Sequence, residues 1–251
     1  MTDIVTRIAD ADATSVTVRG KDLVGDLIGR HSFTEMFYFL LVKRFPSDGE
    51  ARLLDACFVT LMEHGFTPSA LIARLVMESM PGQPQAAIAA GLLSVGDVHA
   101  GTMDGCGAIL QAGVAGGEDP AAYCRRIVAE HRAARKPLPG FGHPFHKPDD
   151  PRTPKLLELA EREKLTGGYL PLLRHLALEV DAAAGKHITL NATGAMAAIL
   201  LEIGIPPTML RSIAITARCG GLFGHLLEEQ ETKSARYIAE LTRENIPYRQ
   251  S

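Results

Sequence analysis

Between Pro139 and Arg152 the chain reads PGFGHPFHKPDDPR, a stretch that gathers His143, His146, Lys147, Asp149, Asp150 and Arg152. Its prolines and glycines exclude more than a few residues of helix or strand, so the ionisable groups sit on a stiff, irregular segment. His143 stands between Gly142 and Pro144, where its neighbours restrict the backbone and the glycine leaves room for a ligand. Arg152 offers a bidentate fork for carboxylate or phosphate, and Lys147 a point charge suited to phosphate. The segment reads as a receptor for an anionic substrate. Two other readings use the same side chains. His143 and His146 with Asp149 or Asp150 form a metal-ligand set, although a loop gives them no fixed facial geometry. A rigid surface turn with solvated charges accounts for the composition alone.

A second candidate is His99, which follows Val95, Gly96 and Asp97 at the start of a predicted helix. The positive end of the helix dipole disfavours imidazolium there, so the ring is neutral at pH 7 and can donate one hydrogen bond to a carbonyl oxygen. A core histidine bonded to a backbone carbonyl is the plainer reading.

The elements that carry these residues are helical. SFTEMFYFLLVKRFP opens with Ser32 and has Glu35 three residues later, a capping box, and Pro46 ends it. EARLLDACFVTLMEHG places Leu53, Leu54, Cys57, Phe58 and Leu61 on one face and stops at Gly65. Helical spacing continues on both sides of the loop, and only TSVTVRG near the start has strand character, with little else to pair with. The fold class is therefore all-α with a short N-terminal ribbon. The run from Gln85 to Gly117 is rich in Ala and Gly, which suits close helix packing or a subunit interface.

With 251 residues, 46% hydrophobic, the chain can bury a substantial core. A net charge of -3 excludes a basic field for nucleic acid or an anionic membrane. The acidic N-terminus and the short apolar run MFYFLLV point to a cytoplasmic protein. Cys57, Cys106, Cys124 and Cys219 lack zinc or redox spacing.

On these residues the chain resembles the citrate synthase family. PGFGHPFHKPDDPR is similar to that family's P-G-[FY]-G-H loop, in which an arginine of a D-P-R triplet follows nine residues after the histidine; Asp150, Pro151 and Arg152 match. EHGFTPSALIAR resembles the helix entry with a substrate-binding histidine, placed at His64. GDVHAG resembles the segment whose histidine polarises the acetyl-CoA thioester, placed at His99, and SIAITARCGGLFGHLLEEQ puts a carboxylate-binding arginine at Arg218. GLLSVGD and TLNATG bring the chain closer still to citryl-CoA lyases and to the citrate-synthase-like module of ATP-citrate lyase.

The resemblance implies a large helical lobe (about 1–138 and 195–251) and a smaller one (about 139–194), at least a homodimer, and no tightly bound cofactor or metal, with a coenzyme A thioester as substrate. It implies coenzyme A contacts at Pro139, Gly140, Phe141, Gly142, Lys147 and Lys186. It also implies that His143 takes the hydroxyl proton of a citryl-type group while His64, Arg152 and Arg218 hold carboxylates and carbonyl. One departure bears on the chemistry: where the family has an acid/base aspartate, this chain has Thr193, whose hydroxyl does not ionise near neutral pH. Loss of that base costs a synthase about 10²–10⁴-fold in enolisation, while cleavage starts elsewhere. A second departure is Leu61, where citrate synthases often carry another histidine. The implied activity is cleavage of citryl-CoA, or a related 3-hydroxy-3-carboxyacyl-CoA, to acetyl-CoA and a 2-oxo acid. Thioester hydrolysis, citrate-synthase-type acyl transfer and non-catalytic binding of a coenzyme A ester are the alternatives.

Overall fold

The computed structural model describes residues 4–97 and 101–250. The N-terminal segment forms a three-stranded antiparallel meander, β1 (Ala9–Ala11), β2 (Val16–Val18) and β3 (Lys21–Asp22). The sequence showed only the central strand of the expected N-terminal ribbon, and the structure gives it a partner on each side. Its neighbours lack strand-forming residues and are built by turn chemistry instead. The Asp12 carboxylate accepts from the backbone and hydroxyls of Thr14 and Ser15, which holds its pKa down at about 2. At the second turn Arg19 and Gly20 take positive φ.

The rest is helical: α1 (Phe33–Val42), α2 (Asp48–Met62), α3 (Pro68–Ser79), α4 (Pro84–Leu93), α5 (Thr102–Gly116), α6 (Pro120–Ala133), α7 (Arg152–Arg162), α8 (Tyr169–Ala184), α9 (Ala192–Glu202), α10 (Leu210–Thr232) and α11 (Ser234–Asn245). Ser32 and Glu35 form the expected capping box on α1, and Ser47 with Glu50 forms another on α2. No described helix is long and apolar enough to cross a membrane.

The sequence ATGAMAAILLE shows no polar face because α9 lies inside the main core, where α2, α5, α7 and α8 surround it. Met196, Ile199 and Leu200 are fully buried, each contributing about 1.5–3 kcal/mol through removal from water. A second cluster joins α3, α4 and α10 through Ala70, Ala73, Met77, Ala87, Ile88, Leu222 and Leu226. Close approaches fix how these elements meet. A Cβ at Gly221 of α10 would collide with the carbonyl of Met62, so the glycine lets α10 lie against the end of α2, beside Glu63 and His64.

Candidate active site

The irregular loop and the N-terminus of α9 are joined main chain to main chain. Phe141 and Leu190 form an antiparallel bridge, Gly142 N donates to Thr189 O at 2.7 Å, and Asn191 N donates to Gly140 O at 3.0 Å. A Cβ on Gly194 would come 2.7 Å from Gly140 O, so only glycine permits this approach. The Asn191 side chain caps α9 by accepting from Gly194 N and donates to Gly142 O at 2.9 Å. In this way Pro139, Gly140, Phe141 and Gly142 are pinned to the segment that carries Thr193.

The Thr193 hydroxyl is committed on both sides. It donates to Asn191 Oδ1 at 2.7 Å and lies 3.0 Å from the Thr102 hydroxyl. Thr102 opens α5, three residues after His99, which lies outside the described residues together with Val98 and Ala100. Arg211 brackets that segment through Asp97 at 2.6 Å and Asp104 at 2.7 Å.

His143 Nδ1 accepts backbone N–H bonds from Phe145 and His146 at 3.1 and 3.0 Å. A neutral imidazole has one acceptor nitrogen, and two bonds of this length outweigh the single 3.5 Å approach of Arg152 Nη2 to Nε2. The network therefore assigns the proton to Nε2, making this ring a donor towards the site. Burial and the neighbouring His146 hold its pKa below the ordinary value, which keeps it neutral. His143, expected to handle the hydroxyl proton of the substrate, stands with its Nε2 edge on the Arg152 side. The same tautomer speaks against a metal held by His64, His143 and His146, whose ligand nitrogens lie within 4.8 Å of one another. Ligation through His143 Nε2 would put the ring proton on Nδ1, facing two backbone donors.

Arg152 is anchored rather than free. Asp150, fully buried, accepts from Arg152 Nε at 2.9 Å and Nη2 at 2.8 Å, and from Ala192 N at 2.9 Å. This occupies one edge of the guanidinium and leaves its Nη1 end for a ligand. Arg218 is almost buried, its Nη1 has no hydrogen-bond partner among the described residues, and burial lowers its pKa. Glu63 Oε2 lies 3.8 Å away.

Glu63 belongs to a chain of contacts that the sequence reading did not find. Fully buried Arg74 donates to His225 Nδ1 through Nε at 3.0 Å and reaches Glu228 and Glu229. Since Arg only donates, His225 carries its proton on Nε2 and donates to Glu63 Oε1 at 3.0 Å. Glu63 also accepts from His64 N and Gly65 N, which fixes the turn bearing His64. The seven-residue spacing of Arg218 and His225, two turns along one face of α10, is the sequence signal for this arrangement.

His64, His143 and His146 converge, with ring centroids 6.2, 5.5 and 4.3 Å apart for the pairs His64–His143, His64–His146 and His143–His146. Burial, then the Arg152 guanidinium, holds the His64 pKa below its ordinary value. Lys147 and Lys186 are exposed on two segments that touch, Thr189 Oγ1 donating to Pro148 O at 2.5 Å.

Beside them His187 bridges Asp181 at 2.7 Å and Asp149 at 3.0 Å, and those two hydrogen bonds raise its pKa. A raised folded pKa means that the clamp is complete below the unfolded value of about 6.5 and is released as pH rises through the folded value. Hydrogen exchange at residues 146–150, corrected for intrinsic rate, should therefore accelerate as pH rises through the raised folded pKa of His187. His187→Gln should remove that dependence; an unchanged profile in the variant would rule the clamp out.

Residues 21–240 match the family model described as citrate synthase, C-terminal domain. The chain is 25% identical over 204 residues to a citrate synthase-like protein of Phoma sp., covering 78% of this chain and 43% of that protein. It spans about half the length, or less, of the curated relatives it matches. Among solved structures, citryl-CoA lyase from Hydrogenobacter thermophilus superposes with a TM-score of 0.88 at 30% identity, covering 99% of this chain and 95% of that one. ATP citrate lyase from Methanothrix soehngenii, in complex with citrate and coenzyme A, shares the fold with a TM-score of 0.81 at 19% identity, covering 100% of this chain and 42% of that one. A helical fold, a loop with its histidine and arginine in register, and a family match across most of the sequence lead to one conclusion: the chain belongs to the citrate synthase family.

Proposed function

We propose that the protein is a carbon–carbon lyase that cleaves citryl-CoA, or a related 3-hydroxy-3-carboxyacyl-CoA, into acetyl-CoA and a 2-oxo acid. The observation that carries this reading is an anion-and-carbonyl site combined with a hydroxyl at Thr193. Arg152 keeps its Nη1 end clear of the Asp150 clamp, Arg218 Nη1 has no hydrogen-bond partner among the described residues although Glu63 Oε2 lies 3.8 Å away, and His143 carries an N–H. Carboxylates on the arginines and the substrate hydroxyl oxygen on His143 would satisfy all three. The likeness to a citryl-CoA lyase along nearly the full length of both chains supports the same choice.

Thr193 separates cleavage from synthesis. Enolising acetyl-CoA requires a base at the thioester methyl group, and a hydroxyl already committed to Thr102 and Asn191 cannot serve. Cleavage generates the enolate from the C–C bond instead, and the carbon then needs a proton donor, a role that water can fill. His99, where the family polarises the thioester oxygen, would stabilise the enolate at a worth of about 2.7–4 kcal/mol. Coenzyme A is assigned to Pro139, Gly140, Phe141 and Gly142, with Lys147 and Lys186 towards its phosphates; it is a substrate and not a resident cofactor.

Incubation with citryl-CoA and homologous thioesters, with separate assays for oxo acid and free thiol, tests the proposal. Oxo acid and acetyl-CoA should appear in equal amounts. Free thiol without oxo acid would make the protein a thioesterase, and neither product would make it a binding protein.

A further inference from the structure

We propose that His225 is a positioning residue that holds the Glu63 carboxylate back from Arg218 and so keeps that guanidinium open for a substrate carboxylate. The proposal deepens the cleavage reading above and rests on it for the identity of the ligand. Arg218 lies almost buried on α10, and its Nη1 has no hydrogen-bond partner among the described residues. A buried guanidinium left in this way is costly, and a neighbouring carboxylate ordinarily closes on it to about 2.7–2.9 Å. Glu63 is such a neighbour, yet its half-exposed side chain stops with Oε2 3.8 Å away.

The restraint acts on the other oxygen. Glu63 Oε1 accepts from His64 N at 2.8 Å, from Gly65 N at 2.6 Å and from His225 Nε2 at 3.0 Å. The first two bonds are made within one turn and travel with it, whereas the third ties the carboxylate to α10. His225 is in turn fixed from behind. Arg74 Nε and Nη2 lie 3.0 and 2.9 Å from its Nδ1, and Arg74 is seated by Glu228, by Glu229 at 3.0 Å and by Ser234 at 3.1 Å. An arginine offers only protons, so the ring turns its own N–H towards Glu63. A Cβ at Gly221 would stand 3.1 Å from Glu63 Oε2, so the glycine between Arg218 and His225 leaves the space that this carboxylate occupies. A substrate carboxylate then reaches Nη1 without first displacing an internal one.

Asparagine and glutamine separate the two ring nitrogens. In His225→Asn the amide oxygen takes the place of Nδ1 opposite Arg74, but the side chain is too short to reach Glu63; in His225→Gln the amide nitrogen takes the place of Nε2. A crystal structure of His225→Asn should show Glu63 Oε2 within about 3 Å of Arg218 Nη1. Calorimetric titration with citrate, in the presence of coenzyme A, should give a Kd about tenfold above that of wild type. Adding Glu63→Gln to His225→Asn should return the Kd to within about threefold of wild type, because the competitor has lost its charge; a loss of packing would not be recovered by that second change. His225→Gln should recover most of the loss as a single substitution. A Glu63 that stays more than about 3.5 Å from Arg218 in His225→Asn, or a double variant that binds no better than the single one, overturns the proposal. Should His225→Asn fail to fold, His225→Gln decides: a Kd more than about tenfold above wild type overturns the proposal, and one within about threefold supports it. Wild type that binds no citrate would remove the carboxylate reading of the site, while the ligand-free structure of His225→Asn would still decide whether His225 restrains Glu63.

Discussion

Asp150→Ala should cost about 3 kcal/mol of stability and at least about 100-fold in turnover. The residue is fully buried, and its loss leaves the Arg152 guanidinium and Ala192 N without their acceptor. The first effect is an uncompensated charge, the second an orphaned donor at the start of α9, and both fall on the contact that aims Arg152. Asp150→Asn should be milder, because an amide oxygen still accepts one of these bonds. Urea unfolding and turnover measured on both variants check the order; an Asn variant as stable and as active as wild type would sink the argument. Burial pushes the Asp150 carboxyl up, but the Arg152 and Ala192 hydrogen bonds outweigh it and hold it at about 2. Its contribution is therefore complete above the unfolded value of about 3.9 and is lost as pH falls towards 2. Asp150→Asn should lack that part of the acid-unfolding profile.

The second large effect is a gain. Thr193→Asp should accelerate exchange of acetyl-CoA methyl protons with deuterated solvent by about 10²–10⁴-fold. The position is in the first turn of α9, where the helix dipole favours a carboxylate, and the Thr102 hydroxyl can donate to it. Asn191 Oδ1 loses one donor but keeps Gly194 N, so the cap survives. Exchange is read by NMR against the wild-type rate. Rapid exchange in wild type would show that another base already serves the methyl group, and a folded, coenzyme-A-binding variant that exchanges no faster would show that residue 193 does not face it.

Helical periodicity, the Ser32 capping box and the proline-rich loop made most of the architecture readable from sequence, because each is a local signal. The outer strands of the N-terminal ribbon escaped because β1 is written ADA, and its pairing depends on Asp12 and on the turn at Arg19 and Gly20 rather than on strand-forming side chains. At the site, His64, His143, Arg152 and Arg218 were singled out by their motifs, but the residues that hold them were not. Asp150 was visible only as one more charge, and Arg74, His225 and Glu63 come from three elements far apart in the chain. The donor character of His143 depends on the placement of two backbone N–H groups, which no side-chain pattern encodes.

The bridge between Phe141 and Leu190 has a bearing on how such a site can change over time. The bonds joining Gly140 and Gly142 to Thr189 and Asn191 are made by the main chain, so the distance between the loop and the start of α9 does not depend on which side chain residue 193 carries. Heritable variation at that position alters the reagent while the bench it stands on stays level. A side chain of similar size can therefore be exchanged at residue 193 without drawing the loop away from the start of α9, and the fold survives each such single step.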